Sequence, residues 1–369
     1  MLEKSNVELV LFETVKLIKN VVVYEWNGMS PEEKNLLRQK LMNFVIQRQE
    51  LPQSVGERVL QVVAIIIKRK YIEDKGVELS ELLEDIRKMI FESGNPRIQG
   101  LSCHIVITLL QEFSNTVNSE DVTLTFEEHF RAKKSFEIKE LLHLFQLILK
   151  GMEELTSVLD ITNESHFQLL EFFLKIMEIV LSWSYLTALI PNRLIRLLTY
   201  MENVNNVKQL QPLRLLPQWR ALMLNPRTLE LFFVVYWKIR GNPQLQRKGI
   251  NCLIQLSTLS GPIFNDTSLS FKYFENFILL LLELLKTIDV DERDAYGISA
   301  IIRKLLVIHY VKVEFVKLSD DVSNALLERM LILTINFCEN AAKENVCCNV
   351  LCLNLCFTNN SPFLLESIW

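Results

Sequence analysis

The sequence predicts an all-α fold in which antiparallel helix pairs stack into a right-handed superhelix. Apolar residues recur at helical rather than strand spacing along nearly the whole chain. Glycine and proline number 10 each in 369 residues, below their average usage of about 7% and 5%. Tight turns are therefore few, which disfavours a sandwich, a barrel or a Rossmann domain. One turn-and-helix unit also occurs twice.

Three helices are predicted at the start of the chain. The first carries apolar residues on one face over 7–22 and ends at Asn27-Gly28. The second begins at Ser30-Pro31, because a serine cap, a proline at the first position and acids in the first turn are typical of helix starts. The third begins at Pro52 and ends in the basic triplet 68–70, whose cations suit the negative end of the helix dipole.

The same periodicity predicts helices along the rest of the chain, joined mostly by short connections. Two polar stretches, near 114–136 and 202–218, are expected to be long loops. The further helices are expected at 79–91, 96–113, 137–154, 163–184, 191–201, 226–240, 243–259, 271–288, 293–309 and 320–340.

The repeated unit is Gly94-Asn95-Pro96-Arg97-Ile98-Gln99, which recurs as Gly241-Asn242-Pro243-Gln244-Leu245-Gln246. In both places Gly-Asn turns the chain and proline opens an apolar helix. Such similarity is typical of HEAT arrays, whose repeats are about 40–47 residues long. A helix pair with one apolar face buries that face only against a neighbouring pair. We therefore interpret the chain as a HEAT/ARM-type solenoid of antiparallel helix pairs, one continuous array over residues 1–369.

Composition excludes several classes of protein. The net charge is −4 and the pI about 5.9, so there is no basic field for a nucleic-acid backbone. The longest apolar runs fall far short of the roughly 20 residues needed to span a bilayer. The cysteine count is an odd seven and the N-terminus does not resemble a signal peptide. We therefore expect no nucleic-acid or membrane partner, and a location in the nucleus, the cytosol or both.

Motifs of catalysis and cofactor binding are missing. The sequence contains no P-loop, GxGxxG, HExxH or GxSxG pattern, so we expect no enzyme activity and no cofactor. Histidines 104, 129, 143, 166 and 309 are scattered, and His104 is expected to have a packing or surface role.

One cysteine cluster leaves two interpretations open. Four cysteines lie close together near the C-terminus, and three of them share one helical face at i, i+4 and i+8. They are either packing residues or thiol ligands for zinc, although structural zinc sites more often use separated C-x2-4-C pairs. No metal site is predicted. The cysteines are Cys347, Cys348, Cys352 and Cys356.

Several phenylalanines fall on apolar helical faces, where we expect them to pack in the core. Grooves between adjacent helices remain available to an apolar partner side chain. The residues are Phe12, Phe44, Phe172, Phe173, Phe232 and Phe233.

A collinear series of motifs resembles the exportins of the importin-β superfamily, most closely the exportin-4 family. It begins with VVVYEW at 21–26 and LRQKLMNFVIQRQELPQSVGERVLQVVAIIIKRKYIED at 37–74. SGNPRIQGLSCHIVITLLQEFS at 93–114, the long run at 225–264 and GISAII at 297–302 follow in order. The resemblance covers residues 3–340 and implies the N-terminal portion of a longer receptor. It makes 1–115 the Ran-binding-type repeats and leaves 341–369 as a poorly matching tail.

The resemblance implies a nuclear export receptor that binds protein cargo together with Ran-GTP and shuttles between nucleus and cytoplasm. Implied cargoes are the hypusine-bearing translation factor and Smad proteins, and implied pore contacts are phenylalanine-glycine nucleoporins. The alternative is a HEAT-repeat scaffold protein without Ran-dependent transport activity.

In this superfamily Ran docks on the inner helices of the N-terminal repeats. The inner helix of the second repeat is predicted over 52–70, and its polar residues are expected to point away from the core. The candidate Ran-facing residues are therefore Arg58, Gln61, Lys68 and Arg69.

Overall fold

The protein is described by a computed structural model that covers residues 5–48, 50–114, 119–160, 163–185, 212–288 and 292–305. Within these ranges the regular structure is helical, apart from a single isolated β-bridge between Arg214 and Ser260. The all-α HEAT-type fold of packed helix pairs is confirmed. The chain divides into two compact units, Met1–Gln211 and Pro212–Trp369. That residues 1–369 form one continuous array stays a prediction.

The described helices of the first unit are α1 (Glu8–Tyr24), α2 (Pro31–Gln47), α3 (Gln53–Asp74), α4 (Val77–Phe91), α5 (Pro96–Ser114), α6 (Phe126–Lys139), α7 (Leu141–Ser157) and α8 (Glu164–Leu181). They form two layers. α1, α3, α5 and α8 pack side by side in one layer, and α2, α4 and α7 pair with α3, α5 and α8 from the other. Lys34 near the start of α2 pairs with Glu73 near the end of α3 at 2.9 Å, so these two helices are antiparallel.

The described helices of the second unit are α9 (Arg220–Met223), α10 (Pro226–Ile239), α11 (Pro243–Leu256), α12 (Thr267–Thr287) and α13 (Glu292–Lys304). They form a smaller two-layer stack, in which α10 pairs with α11 and packs on α12, while α11 packs on α13. Before these helices, an extended segment is hydrogen-bonded to the chain that follows α11, since the amide of Ser260 donates to the carbonyl of Leu213 at 2.8 Å.

The predicted helix starts at Ser30, Asn95 and Asn242 are confirmed in atomic detail, whereas the helix predicted at 137–154 begins at Leu141. Ser30 Oγ accepts from the amide of Glu33 at 3.2 Å, and the carboxylate of Glu33 accepts from the amide of Ser30 at 2.8 Å. The two repeated Gly-Asn-Pro turns form the same cap. The side-chain oxygen of Asn95 accepts from the amide of Arg97, and that of Asn242 from the amide of Gln244, each at 3.0 Å. The repeat is therefore structural as well as sequential.

The loop expected near 114–136 is partly helical, which corrects that prediction. Thr125 Oγ1 accepts from the amide of Glu128 at 3.3 Å, and Glu128 accepts in return from the amide of Thr125 at 2.7 Å. This capping box starts α6, whose Phe130 and Phe136 are fully buried. A Thr-x-x-Glu pattern ahead of apolar residues is the sequence signal that marks such a start. The segment was expected to be a loop because most of its residues are polar, yet it folds as a helix that packs through a few aromatic rings.

The core contains four of the six phenylalanines expected there: Phe44, Phe173, Phe232 and Phe233 are buried. Phe12 and Phe172 are half-buried instead. Each lines a surface groove on the layer formed by α1, α3, α5 and α8. The helices expected at 191–201 and 320–340, His309 and the cysteine run at 347–356 lie outside the described residues.

Among the described helices, none is both long enough and apolar enough to cross a membrane. The described residues likewise contain no group of three or more histidine, cysteine or acidic side chains placed to hold a metal ion.

Candidate partner-binding groove

A groove of about 750 Å³ runs across the layer formed by α1, α3 and α5. We call it the first groove. A second groove, of about 290 Å³, lies over α3, α5 and α8 and shares Glu57 and His104 with the first. The first groove is lined by Phe12, Ser54, Glu57, Arg58, Gln61, His104, Ile107, Thr108, Gln111, Glu112, Ser114 and Glu120.

Two of the predicted site residues, Arg58 and Gln61, lie together on the wall of the first groove. They are one helical turn apart on α3, and Arg58 Nη1 donates to the side-chain oxygen of Gln61 at 2.6 Å. The guanidinium also lies 5.4 Å from the ring centre of Phe12. Its side chain is 29% exposed, so Arg58 is held in place and still reaches solvent. The expected orientation away from the core is observed for this pair.

Lys68 does not point away from the core, contrary to the expectation. Its side chain is fully buried, and Nζ lies 3.1 Å from Glu112 Oε1 and 2.7 Å from the carbonyl oxygen of Glu112. Burial lowers the pKa of Lys68, and the carboxylate of Glu112 opposes that shift. α3 also continues to Asp74, so Lys68 lies inside the helix and not in its last turn. Its observed partner is on α5.

Arg69 is buried as well. Its Nε lies 2.5 Å from Asp121 Oδ2 and its Nη2 lies 2.6 Å from Asp121 Oδ1, while Nη2 also donates to the carbonyl of Val23 at 3.0 Å. The sequence did not predict this ion pair, because Asp121 lies 52 positions further along the chain, in a segment expected to be a loop. Whether any of the four candidates contacts Ran stays a prediction, but only Arg58 and Gln61 border the first groove.

The segment 119–125, which we call the clasp, carries that carboxylate and ties three helices together. Ser119 donates to Glu112 of α5 at 2.8 Å, and Thr123 donates to the carbonyl of Val23 of α1 at 2.9 Å. Asp121 binds α3 through Arg69. Each of these contacts joins a clasp residue to a different helix, so the clasp is bonded to all three helices that line the first groove.

Glu120 of the clasp projects into the first groove and is shared by two cations. Lys19 of α1 is hydrogen-bonded to it, and Arg58 Nη1 lies 3.6 Å from its Oε1. The hydrogen bond from Lys19 and the attraction of Arg58 hold the pKa of Glu120 below its usual range despite some burial. The carboxylate is therefore charged at neutral pH.

His104 lines both grooves, and its surroundings agree with the packing or surface role expected for it. Its ring packs edge-on against Phe172 at 4.8 Å between centroids. Burial lowers the pKa of His104, although the carboxylate of Glu57 opposes the shift. The imidazole is thus neutral at pH 7 and contributes no charge to either groove.

The chemistry that this surface supports is non-covalent recognition. Half-buried aromatic rings lie beside amide and charged side chains, which is the mixture typical of protein-binding surfaces. The thiol of Cys103 on α5 is fully buried, and burial raises its pKa to about 12. A thiol with such a pKa is not a nucleophile at neutral pH.

Comparison with known proteins agrees with this fold. The Exportin-4 family model matches residues 1–338. Exportin-4 of Dictyostelium discoideum is 21% identical over 312 residues, which are 78% of this chain and 27% of that protein. Ran-binding protein 17 of Homo sapiens is 24% identical over 254 residues, 67% of this chain and 21% of that protein.

Exportin-7-B of Xenopus laevis is 21% identical over 243 residues, 65% of this chain and 20% of that protein. The chain therefore spans only 20–27% of the length of these three relatives. The family match, by contrast, covers most of this chain, including all of the described helices. The chain belongs to the exportin-4 family.

Proposed function

We propose that the chain is part of a nuclear export receptor that carries protein cargo through the nuclear pore together with Ran-GTP. The single observation that carries the proposal is the first groove, on the layer where the family resemblance expects Ran. Arg58 and Gln61, two of the expected contacts, border it together. The activity is binding, and nothing in it requires catalysis or a cofactor.

The groove has the properties of a preformed binding surface. Its walls are helices and not loops, and the clasp connects α1, α3 and α5 through buried or half-buried contacts. A rigid wall reduces the conformational entropy that a complex must lose on binding. Arg58 lies over the ring of Phe12, and arginine is one of the residue types enriched at interface hot spots.

Membership of the exportin-4 family extends the proposal to other partners and to localisation. The cargoes are proteins, with the hypusine-bearing translation factor and Smad proteins as the first to test. Weak contacts with phenylalanine-glycine nucleoporins would carry the receptor through the pore, and the receptor would shuttle between nucleus and cytoplasm. Ran-GTP and cargo would favour the same conformation, which is a coupling free energy between two sites.

The test is binding of purified Ran, loaded with GTP or GDP, to the immobilised 369-residue chain. We expect binding to the GTP form alone, and tighter binding when a cargo protein is added. Equal binding of both forms, or none by a chain that circular dichroism shows to be helical, would favour the alternative of a HEAT-repeat scaffold without Ran-dependent transport activity.

Charge reversal tests the location of the site. Arg58→Glu should abolish Ran-GTP binding, because it places an anion beside Glu120 in the groove. Arg131→Glu is the matched control, since Arg131 is 63% exposed on α6 and does not line the groove. Equal loss in both variants would argue against this site.

A further inference from the structure

We propose that the first groove receives an acidic side chain of the partner protein at Arg58, and that Glu120 of the clasp competes with it. The inference rests on the proposed function and deepens it by naming the chemistry of the contact. Glu120 is then an internal stand-in for the partner's carboxylate.

The first step concerns the hydrogen-bond donors of Arg58. A guanidinium has five N–H donors in a fixed fork that matches a carboxylate. Arg58 Nη1 donates to Gln61, and among the described residues no acceptor contacts Nε or Nη2. Since the side chain is 29% exposed, these donors remain available to a partner. A carboxylate takes two such donors at once, which makes the contact both strong and directional.

The second step concerns the local charge. Lys19 and Arg58 share the one carboxylate of Glu120, so this cluster carries an excess positive charge. Glu112 does not offset it, because Glu112 is paired with the buried Lys68. Glu57 is the remaining charge of the groove; it is exposed and accepts a hydrogen bond from Gln53, so solvent screens it more strongly. An incoming carboxylate would balance the cluster.

The third step concerns position. Contact with Phe12 and the hydrogen bond to Gln61 hold the guanidinium before a partner arrives. The clasp holds Glu120 in turn, since its neighbour Asp121 is bound by Arg69. Arg58 therefore needs little reorganisation to bind, whereas Glu120 weakens binding by keeping one carboxylate beside the two cations.

The experiment measures the affinity of the full chain for Ran-GTP in two variants that change the groove in opposite directions. Arg58→Lys keeps the charge but removes the fork, and we expect affinity to fall about tenfold, as for loss of a charged hydrogen bond. Glu120→Gln keeps the shape but releases both cations, and we expect affinity to rise about threefold, as for an exposed ion pair.

Glu127→Gln is the matched control, because it frees Arg131 on α6 by the same chemistry outside the groove, and it should leave affinity unchanged. Circular dichroism and the thermal midpoint establish that each variant is folded. If Arg58→Lys leaves the affinity for Ran-GTP unchanged, or if Glu120→Gln lowers it, this inference is overturned and the proposed function still stands. Absence of wild-type binding to Ran-GTP overturns both.

Discussion

Arg69 and Asp121 form a bidentate ion pair inside the first unit, with nitrogen–oxygen distances of 2.5 and 2.6 Å. The side chains are only 6% and 1% exposed. This pair fixes the clasp on α3, and the clasp carries Glu120 into the first groove. A buried contact thereby determines how a surface groove is charged.

Removing one partner of this pair should destabilise the first unit strongly. Arg69→Met would leave Asp121 buried without its cation, which typically costs about 3–5 kcal/mol. The free energy of unfolding in urea, followed by tryptophan fluorescence, measures the loss. Arg131→Met is the control, since it breaks an exposed pair and should change little. Similar losses of unfolding free energy in Arg69→Met and Arg131→Met would contradict this prediction.

His129 should make the stability of the first unit depend on pH. Burial, and then repulsion by Lys68, lower the pKa of His129 to about 4, against a smaller opposing effect of the hydrogen bond to the carbonyl of Asp121. Because the folded-state pKa lies below the ordinary value of about 6.5, protonation favours the unfolded state. The stabilisation is complete above about pH 6.5 and is lost as the pH falls towards about 4, by up to roughly 2–3 kcal/mol.

His129→Gln keeps a side-chain nitrogen for the carbonyl and removes the titration, so the loss of stability between these pH values should shrink. The measurement is urea denaturation at a series of pH values, with the exposed His143→Gln as control. An unchanged pH profile in His129→Gln would exclude this histidine as the source.

Gly297 of α13 should tolerate a side chain only at a cost in stability. A Cβ at this position would lie inside the van der Waals radius of Ile250 on α11, and overpacking of this kind costs about 1–3 kcal/mol. Gly297→Ala should therefore lower the thermal midpoint of the second unit. Ile250→Ala in the same chain should recover part of the loss. Gly241→Ala, with nothing within 4 Å of its Cβ, is the control, and an equal effect there would contradict the packing argument.

Tyr236 should contribute to the second unit through its hydroxyl group. The hydroxyl donates to Asp294 Oδ1 at 2.5 Å. Asp294 also forms an ion pair with Arg240, whose Nη2 lies 2.6 Å from Asp294 Oδ2. Burial and the hydrogen bond to Asp294 raise the pKa of Tyr236, so the phenol stays protonated. Tyr236→Phe should cost about 1.5–3 kcal/mol, as for a hydrogen bond to a charged group. The control is Tyr296→Phe, because Tyr296 is 81% exposed. Thermal unfolding measures the midpoints of both variants, and equal midpoints would refute the contribution of the Tyr236 hydroxyl.

Local sequence was sufficient wherever the decisive interactions join neighbouring residues. The caps at Ser30, Asn95 and Asn242 were predictable because each side chain binds an amide two or three residues further along the chain. The start of α6 follows the same rule through Thr125 and Glu128. The polar composition of that segment predicts a loop instead, in conflict with the capping signal.

The candidate site was only partly predictable. Periodicity on α3 indicated that Arg58 and Gln61 leave the core, and the structure has them side by side on the groove wall. The same reasoning was wrong about the orientation of Lys68 and Arg69. A polar residue on a helix reaches solvent only where no other segment covers it, and here α5 and the clasp supply buried carboxylates to both cations.

The sequence by itself determined the helical class, the positions of most helix starts and the resemblance to the exportins, because these depend on residue spacing and short-range hydrogen bonds. Tertiary structure alone decided which cations are buried, where the grooves lie and which carboxylate occupies them. Those outcomes depend on contacts between residues far apart in sequence, such as the 52 positions that separate Arg69 from Asp121. The energy of a charge depends on its partners and its exposure to water, and both are established only when the helices pack.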